Sequence, residues 1–365
     1  MPVKPRKISI WQLVLLLFIS RFFSFMTYVP RAQQSMTGST ALLAIPLSAV
    51  CMAVAYLPFW LLCRYCGPDP LAAALRGCRP LGLGLTALLG LYSLYLAAST
   101  VSGFEFFITG SVYQNAPPWI FIFSLALAAA YGVRMGLEAF ARMGTPVLIL
   151  LLLAIGLLLA TLGGEVRLLR ISNPLYDGMG AVWQGALMLL INTTEYLPFF
   201  LLLCRTDGRS GGKAFFSWLA GVTLLAELLS VLLLSVLGSY AQTRLFPLHT
   251  AAVLAQGSVF GRLDLLHIIT WVMVAFLRAT LYLYCAAICL RQLFARVGLG
   301  SSALLCAAAS ILFSMLAGTG SGYWRALNSL WQMGVPFVLF TVLFPLLVLA
   351  LPRARQTSAK KEACA

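Results

Sequence analysis

Four ionisable side chains stand inside otherwise apolar runs of this chain: Arg21, Glu195, Glu227 and Arg278. A charge at the centre of a bilayer-spanning helix costs roughly 2.5–3.5 kcal/mol on insertion scales, so each needs a partner or a water-lined cavity. Two acids and two bases are neutral as a set if the helices bring them together. The chemistry open to such a set is binding: a pocket or pathway for a polar solute, or buried ion pairs that fix helix register. Glu105 is of the same kind but lies nearer the outer end of its run, within reach of water.

Glu195 has the most informative surroundings. The stretch Asn192-Thr193-Thr194-Glu195-Tyr196-Leu197-Pro198 puts four consecutive polar residues and then a proline in the middle of an apolar run. Proline removes a backbone donor and crowds the preceding turn. Non-helical backbone at membrane depth survives only when buried in protein or lining a wet cavity. The stretch therefore predicts a discontinuous helix whose freed N–H and C=O groups face a solute, as in many secondary transporters. The alternative is a proline kink with the polar side chains bonded back along the helix. The first run carries a weaker counterpart, Ser20-Arg21 and Ser24 through Thr27, ending at Pro30 and lacking glycine. The candidate ligand-binding set is Ser20, Arg21, Ser24, Asn192, Thr193, Thr194, Glu195 and Arg278. Backbone groups around Asn192–Glu195 would hold the ligand's polar head. Glu195 would pair with an ammonium group or lock the cavity through Arg278 or Arg21.

Other chemistries find no pattern to rest on. The two histidines, His249 and His267, form no HExxH, and the chain has no G-x-S-x-G and no Walker A sequence. No enzymatic activity and no cofactor are expected, and both histidines read as surface or boundary residues. Of nine cysteines, Cys63, Cys66 and Cys78 give a CxxC plus one, with no second pair or histidine to complete a zinc site. The net charge of +15 and pI near 9.7 resemble a nucleic-acid footprint. The basic residues, however, sit singly or in small groups between apolar runs, where they set membrane topology. The expected partner is the lipid bilayer and not nucleic acid.

The elements that must position these residues follow from hydropathy. Hydrophobic residues make up 61% of the chain and charged residues 10%, against roughly 25% charged in a soluble domain. A bilayer core takes about 20 apolar helical residues. Ten runs qualify: Ile8–Val29, Thr40–Leu62, Leu83–Thr109, Trp119–Val133, Thr145–Leu162, Met179–Leu203, Phe215–Leu237, Leu265–Leu290, Ser301–Thr319 and Leu330–Leu351. With an inner N-terminus, seventeen Lys and Arg fall in inner segments and six in outer ones, Arg31, Arg167, Arg170, Arg244, Arg262 and Arg325. That bias is the positive-inside pattern and puts both termini in the cytoplasm. The first run has span length and no small-residue cleavage site, so it reads as a retained helix. The expectation is an all-α polytopic membrane protein with a single transmembrane domain over residues 1–352 and a disordered basic tail over 353–365. The outer connection from Gly238 to Asp264 should hold a short re-entrant or interfacial helix, and Leu71–Leu75 another turn of surface helix. The first and sixth runs each open a block of five, which fits an inverted repeat of about 8–162 and 179–351 with the broken helices facing each other.

Several short motifs in this order resemble the B subunit of spore germinant receptors, the GerAB family of the amino acid/polyamine/organocation (APC) transporter superfamily. Ile8-Ser9-Ile10-Trp11-Gln12-Leu13 is similar to the family's opening "I-S-x-x-Q", and Asn115-Ala116-Pro117-Pro118-Trp119 to its proline-containing entry to span 4. Gly136 through Arg142 resembles its "G-x-E-x-x-x-R" loop before span 5. Glu195 falls where the family carries a glutamate in span 6, and Arg262-Leu263-Asp264 with Trp271 resembles its "R-x-[D/E]" and tryptophan at span 8. The glycine missing from span 1 departs from the pattern. The resemblance implies a five-plus-five inverted repeat and a place in the inner membrane of the endospore. It also implies A and C partner subunits and a pocket among spans 1, 3, 6 and 8 for a small nutrient such as an amino acid. The alternative on the same fold is a working secondary transporter of amino acids or amines. Glu138 and Arg142, four residues apart, read as a helix-surface pair or as a docking point for a partner subunit.

Overall fold

In lipid an uninterrupted apolar run can satisfy its backbone N–H and C=O groups only as a helix, and helices dominate this protein. The computed structural model describes residues 7–26, 38–207, 211–255, 263–318, 329 and 333–351. Among these, eight helical stretches are long and apolar enough to cross a membrane: Gly38–Cys66, Arg79–Val112, Pro118–Met135, Leu137–Glu165, Gly178–Arg205, Gly211–Leu237, Leu263–Leu293 and Leu299–Gly318. Two shorter apolar helices, Ile10–Phe25 and Val335–Ala350, stand where the first and last runs were expected. One isolated bridge between Ile8 and Thr206 is the β pairing found among the described residues. The protein is a polytopic helical membrane protein.

The helices that matter for the site are α1 (Ile10–Met26), α2 (Ala41–Ala55), α3 (Leu57–Cys66), α4 (Pro70–Gly77), α5 (Arg79–Ser111), α6 (Pro118–Met135) and α7 (Leu137–Leu162). After these come α8 (Gly178–Ile191), α9 (Tyr196–Leu202), α10 (Gly211–Leu237), α11 (Tyr240–Thr243), α12 (Pro247–Leu254), α13 (Leu263–Leu293), α14 (Leu299–Gly318) and α15 (Val335–Ala350). The two short surface helices expected between spans are α4 and α12. Asp69 caps α4 by accepting from the Ala72 N–H at 2.9 Å, the usual service of an aspartate at a helix start.

Several boundaries differ from expectation, each for a local reason. Gly136, with φ of 90°, ends α6. The stretch Gly136–Arg142, which the resemblance takes as the loop before span 5, is from Leu137 the opening of α7, and Arg142 donates to Glu138 at 2.5 Å as a helix-surface pair. The weak break expected in the first run is absent as far as the structure is described: α1 is a continuous helix through Ser20, Arg21 and Ser24. No glycine or proline interrupts it there. In the last run a π-helical turn, Leu339–Leu343, leads into Pro345. A proline cannot donate to the carbonyl four residues back, and such turns absorb the misfit. Thr27 to Pro30, Arg31, Arg262, Thr319, Arg325, Leu330 and the basic tail from residue 352 lie outside the described residues.

Helix α13 forms the axis of the molecule. It packs along α5 and is also flanked by α1, α6, α7 and α14, while α2 lies against α8 and α10. Two aromatic clusters pack among these helices. Trp271 stacks with Phe23 and Phe104 at centroid distances of 5.6 and 5.2 Å and meets Phe107 at 4.1 Å. In the second, Phe59 stacks on Phe200 at 3.7 Å and Tyr56 on Phe215 at 3.8 Å.

Candidate functional site

The break lies where the polar run was expected. Helix α8 ends at Ile191 and α9 begins at Tyr196. Pro198 then falls in the first turn of α9, where a backbone donor would have had no helical partner. The Asn192 amide donates back to the Met188 carbonyl at 2.8 Å and the Thr193 hydroxyl to that of Leu189 at 2.9 Å. These two side chains close the end of α8. Thr194 and Glu195 are left to face inward.

Arg21 of α1 completes the closure of α8. Its Nη1 donates to the Asn192 carbonyl at 2.8 Å and its Nη2 to that of Leu189 at 3.5 Å. A cation at a helix C-terminus meets the negative end of the helix dipole as well as unpaired carbonyls. Arg21 Nη1 also lies 3.8 Å from Glu195 Oε2, and the guanidinium sits over the Phe25 ring at 5.4 Å.

Arg278 of α13 binds the other oxygen. Its Nη1 donates to Glu195 Oε1 at 2.8 Å, to the Ser20 carbonyl at 2.5 Å and to the Ser24 hydroxyl at 3.3 Å. Its Nη2 donates to the Thr194 hydroxyl at 3.1 Å and its Nε to the Thr100 hydroxyl of α5 at 3.3 Å. The planar five-donor fork of arginine lets this one side chain of α13 reach three other elements at once, α1, α5 and the α8–α9 break. Ser20 donates to Glu195 Oε1 at 3.1 Å, and Thr194 shares a 2.6 Å hydrogen bond with Tyr282. Glu195 is wholly enclosed at 0% exposure, so its charge stands only because these donors replace water.

The eight expected residues therefore meet at one place, in two roles. Ser20, Thr194, Glu195, Arg278 and Ser24 form the polar centre, while Arg21, Asn192 and Thr193 build the capped end of α8 beside it. Glu227 does not join them. It lies on α10 with Oε1 buried and without a hydrogen-bond partner, and no ion pair reaches it among the described residues. Glu105 accepts from Thr109 on its own helix at 3.1 Å. Sequence reasoning did not find Thr100 or Tyr282. Tyr282 is four residues after Arg278, so helical periodicity places it on the same face; Thr100 carries no such signal. His267, expected at a surface or boundary, is buried, with its ring 5.6 Å from that of His249. His249, on α12 between the spans, is held below the ordinary imidazole range by burial, which nearby Asp264 opposes.

A cleft lined in part by Arg21 opens between α1, α2, α8 and α10, with Ser48, Thr193, Trp218 and Thr223 among its polar lining. No residue of α5 or α13 is in its lining.

A broken helix holding one buried carboxylate between two arginines, inside a bundle of apolar helices, makes this a polytopic membrane protein with a polar site at its core. The chain belongs to the spore germination proteins of the GerAB-like kind: the model of that spore permease family matches residues 7–320, a range that includes every residue of the site. No curated protein matches the chain.

Proposed function

We propose that this chain is the membrane subunit of a spore nutrient-germinant receptor, binding a small nutrient such as an amino acid at the bilayer midplane. The observation that carries the reading is the Glu195–Arg278 contact, which ties the broken α8–α9 segment to α1, α5 and α13. A ligand that contacts this junction differently in two arrangements of the helices shifts the balance between them. Ser20, Arg21, Ser24, Asn192, Thr193, Thr194, Glu195 and Arg278 form or border the ligand site. In this scheme Glu195 acts as the lock, because Arg278 and Ser20 already engage its carboxylate.

The same reading takes α1 and α15 as membrane spans, giving ten in all, arranged as two inverted blocks of five. It places the chain in the inner membrane of the endospore with both termini in the cytoplasm, as the charge bias favours. Its partners are the A and C subunits of the receptor, and it performs no catalysis. Spores lacking this chain should lose the response to one nutrient and keep their response to germinants that bypass receptors. Affinity purification of the tagged chain from spores should bring down A- and C-type subunits. Recovery of the chain alone, with unaltered germination of the deletion strain, contradicts the reading.

A further inference from the structure

Two guanidinium groups, Arg21 and Arg278, share one carboxylate at the centre of this protein. The charged groups acting on Arg21 are Glu195 and Arg278, so the cluster holds a surplus positive charge among the described residues. Burying an unmatched charge is costly, and a bound anion would balance it. Arg21 also lines the cleft between α1, α2, α8 and α10, to which Glu195 and Arg278 do not contribute. Arg21 Nε is buried without a hydrogen-bond partner, and so is Nε1 of Trp218, a second residue of the cleft lining. Arg21 is 5% exposed and Trp218 2%. Buried donors left unpaired in a native fold call for a partner that is absent. Ile45, Met52 and Val222 supply apolar surface beside them.

We infer that this cleft binds the carboxylate of a small ligand with an apolar body, Arg21 Nε and Trp218 Nε1 donating to its oxygens. Resting on the receptor reading above, this inference places the ligand head outside the α1–α5–α8–α13 junction, in the cleft that Arg21 also lines. The carboxylate supplies the negative charge that the junction lacks. Binding there draws Arg21 away from the end of α8 and so reaches the broken segment through one side chain.

The test is calorimetric titration of the full chain in lipid nanodiscs with two matched sets: L-alanine, propionate and ethylamine, then L-valine, isovalerate and isobutylamine. The acids and amino acids of a set should bind and the amines should not. Trp218→Phe should weaken binding by about tenfold, the loss of one hydrogen bond to a charged group. Ala49→Trp, which fills the cleft from α2, should abolish it. Thermal unfolding of both variants checks that the fold is intact, and Arg21→Gln is the second route to the same loss should Ala49→Trp fail to fold. Binding that survives both Ala49→Trp and Trp218→Phe overturns the cleft while leaving the receptor reading in place. Amines that bind as well as acids overturn the carboxylate. If no compound binds the wild-type chain, both the inference and the nutrient-binding reading fall.

Discussion

Arg278 and Glu195 are separated by 83 residues of sequence and meet at 2.8 Å in a site closed to solvent. No other contact in the described protein joins the broken segment to the central helix through full charges. Removing the Arg278 side chain alone should therefore be severe.

Arg278→Met leaves Glu195 buried with Arg21 as its remaining cation. A loss of roughly 3–5 kcal/mol is expected when one partner of a buried pair is removed, read as lowered unfolding stability in detergent and lower abundance in membranes. Adding Glu195→Gln to Arg278→Met should recover part of that loss by neutralising the carboxylate Arg278 leaves behind; Arg21 keeps its charge and rests on the Asn192 and Leu189 carbonyls alone. An additive double variant would show that the two side chains do not act as a pair.

Helix α4 lies so close to α5 that a side chain added at Gly82 would meet the Leu75 backbone, with its N at 2.7 Å and Cα at 2.8 Å. Backbone cannot rotate away as a side chain can. Gly82→Ala should cost about 1–3 kcal/mol, the range for overpacking. Gly84→Ala, two residues on with open space around it, should be neutral or gain up to about 1 kcal/mol from helix propensity. Comparing the two variants by thermal unfolding separates packing from propensity.

Much of this architecture was legible in the residues. The apolar runs located the helices, and the polar stretch ending at Pro198 located the break, because a donor-less residue and four polar side chains cannot continue an apolar helix unaided. The arginines and Glu195 were legible as a set through the cost of leaving each alone in lipid. Their pairing was not, since it depends on how helices rotate against one another. Glu227 shows the limit: it has the same chemistry and depth as the others and lies on a face that does not reach them. Thr100 and Trp218 look like ordinary helix residues, and only three-dimensional proximity gives them a role.

His249 sits outside the membrane-spanning helices, and burial lowers its pKa from the ordinary 6.5. A base with a depressed folded-state pKa stabilises the fold fully above its unfolded pKa and loses that contribution as pH falls below it. Asp264 is its charged neighbour and favours the proton, against the larger effect of burial; the His267 ring lies 5.6 Å away. The melting temperature should fall between about pH 7 and pH 5, and His249→Phe should flatten the dependence. An identical pH profile in the variant would assign the acid sensitivity elsewhere.

Transport on the same fold makes a different forecast. Concentrative uptake of an amino acid or amine by vesicles containing this chain alone, above empty vesicles, would favour a working carrier. The receptor account expects binding without accumulation.

The most direct test is nutrient dose-response in spores carrying Glu195→Gln at wild-type abundance. Gln keeps the size of the side chain and its hydrogen-bonding oxygen but removes the charge that holds Arg278 and Arg21. The account expects the half-maximal nutrient concentration to rise by about tenfold or more, in line with one charge-assisted contact, while receptor-independent germination is unchanged. A dose-response curve superimposable on the wild type, with the protein fully present, would contradict it.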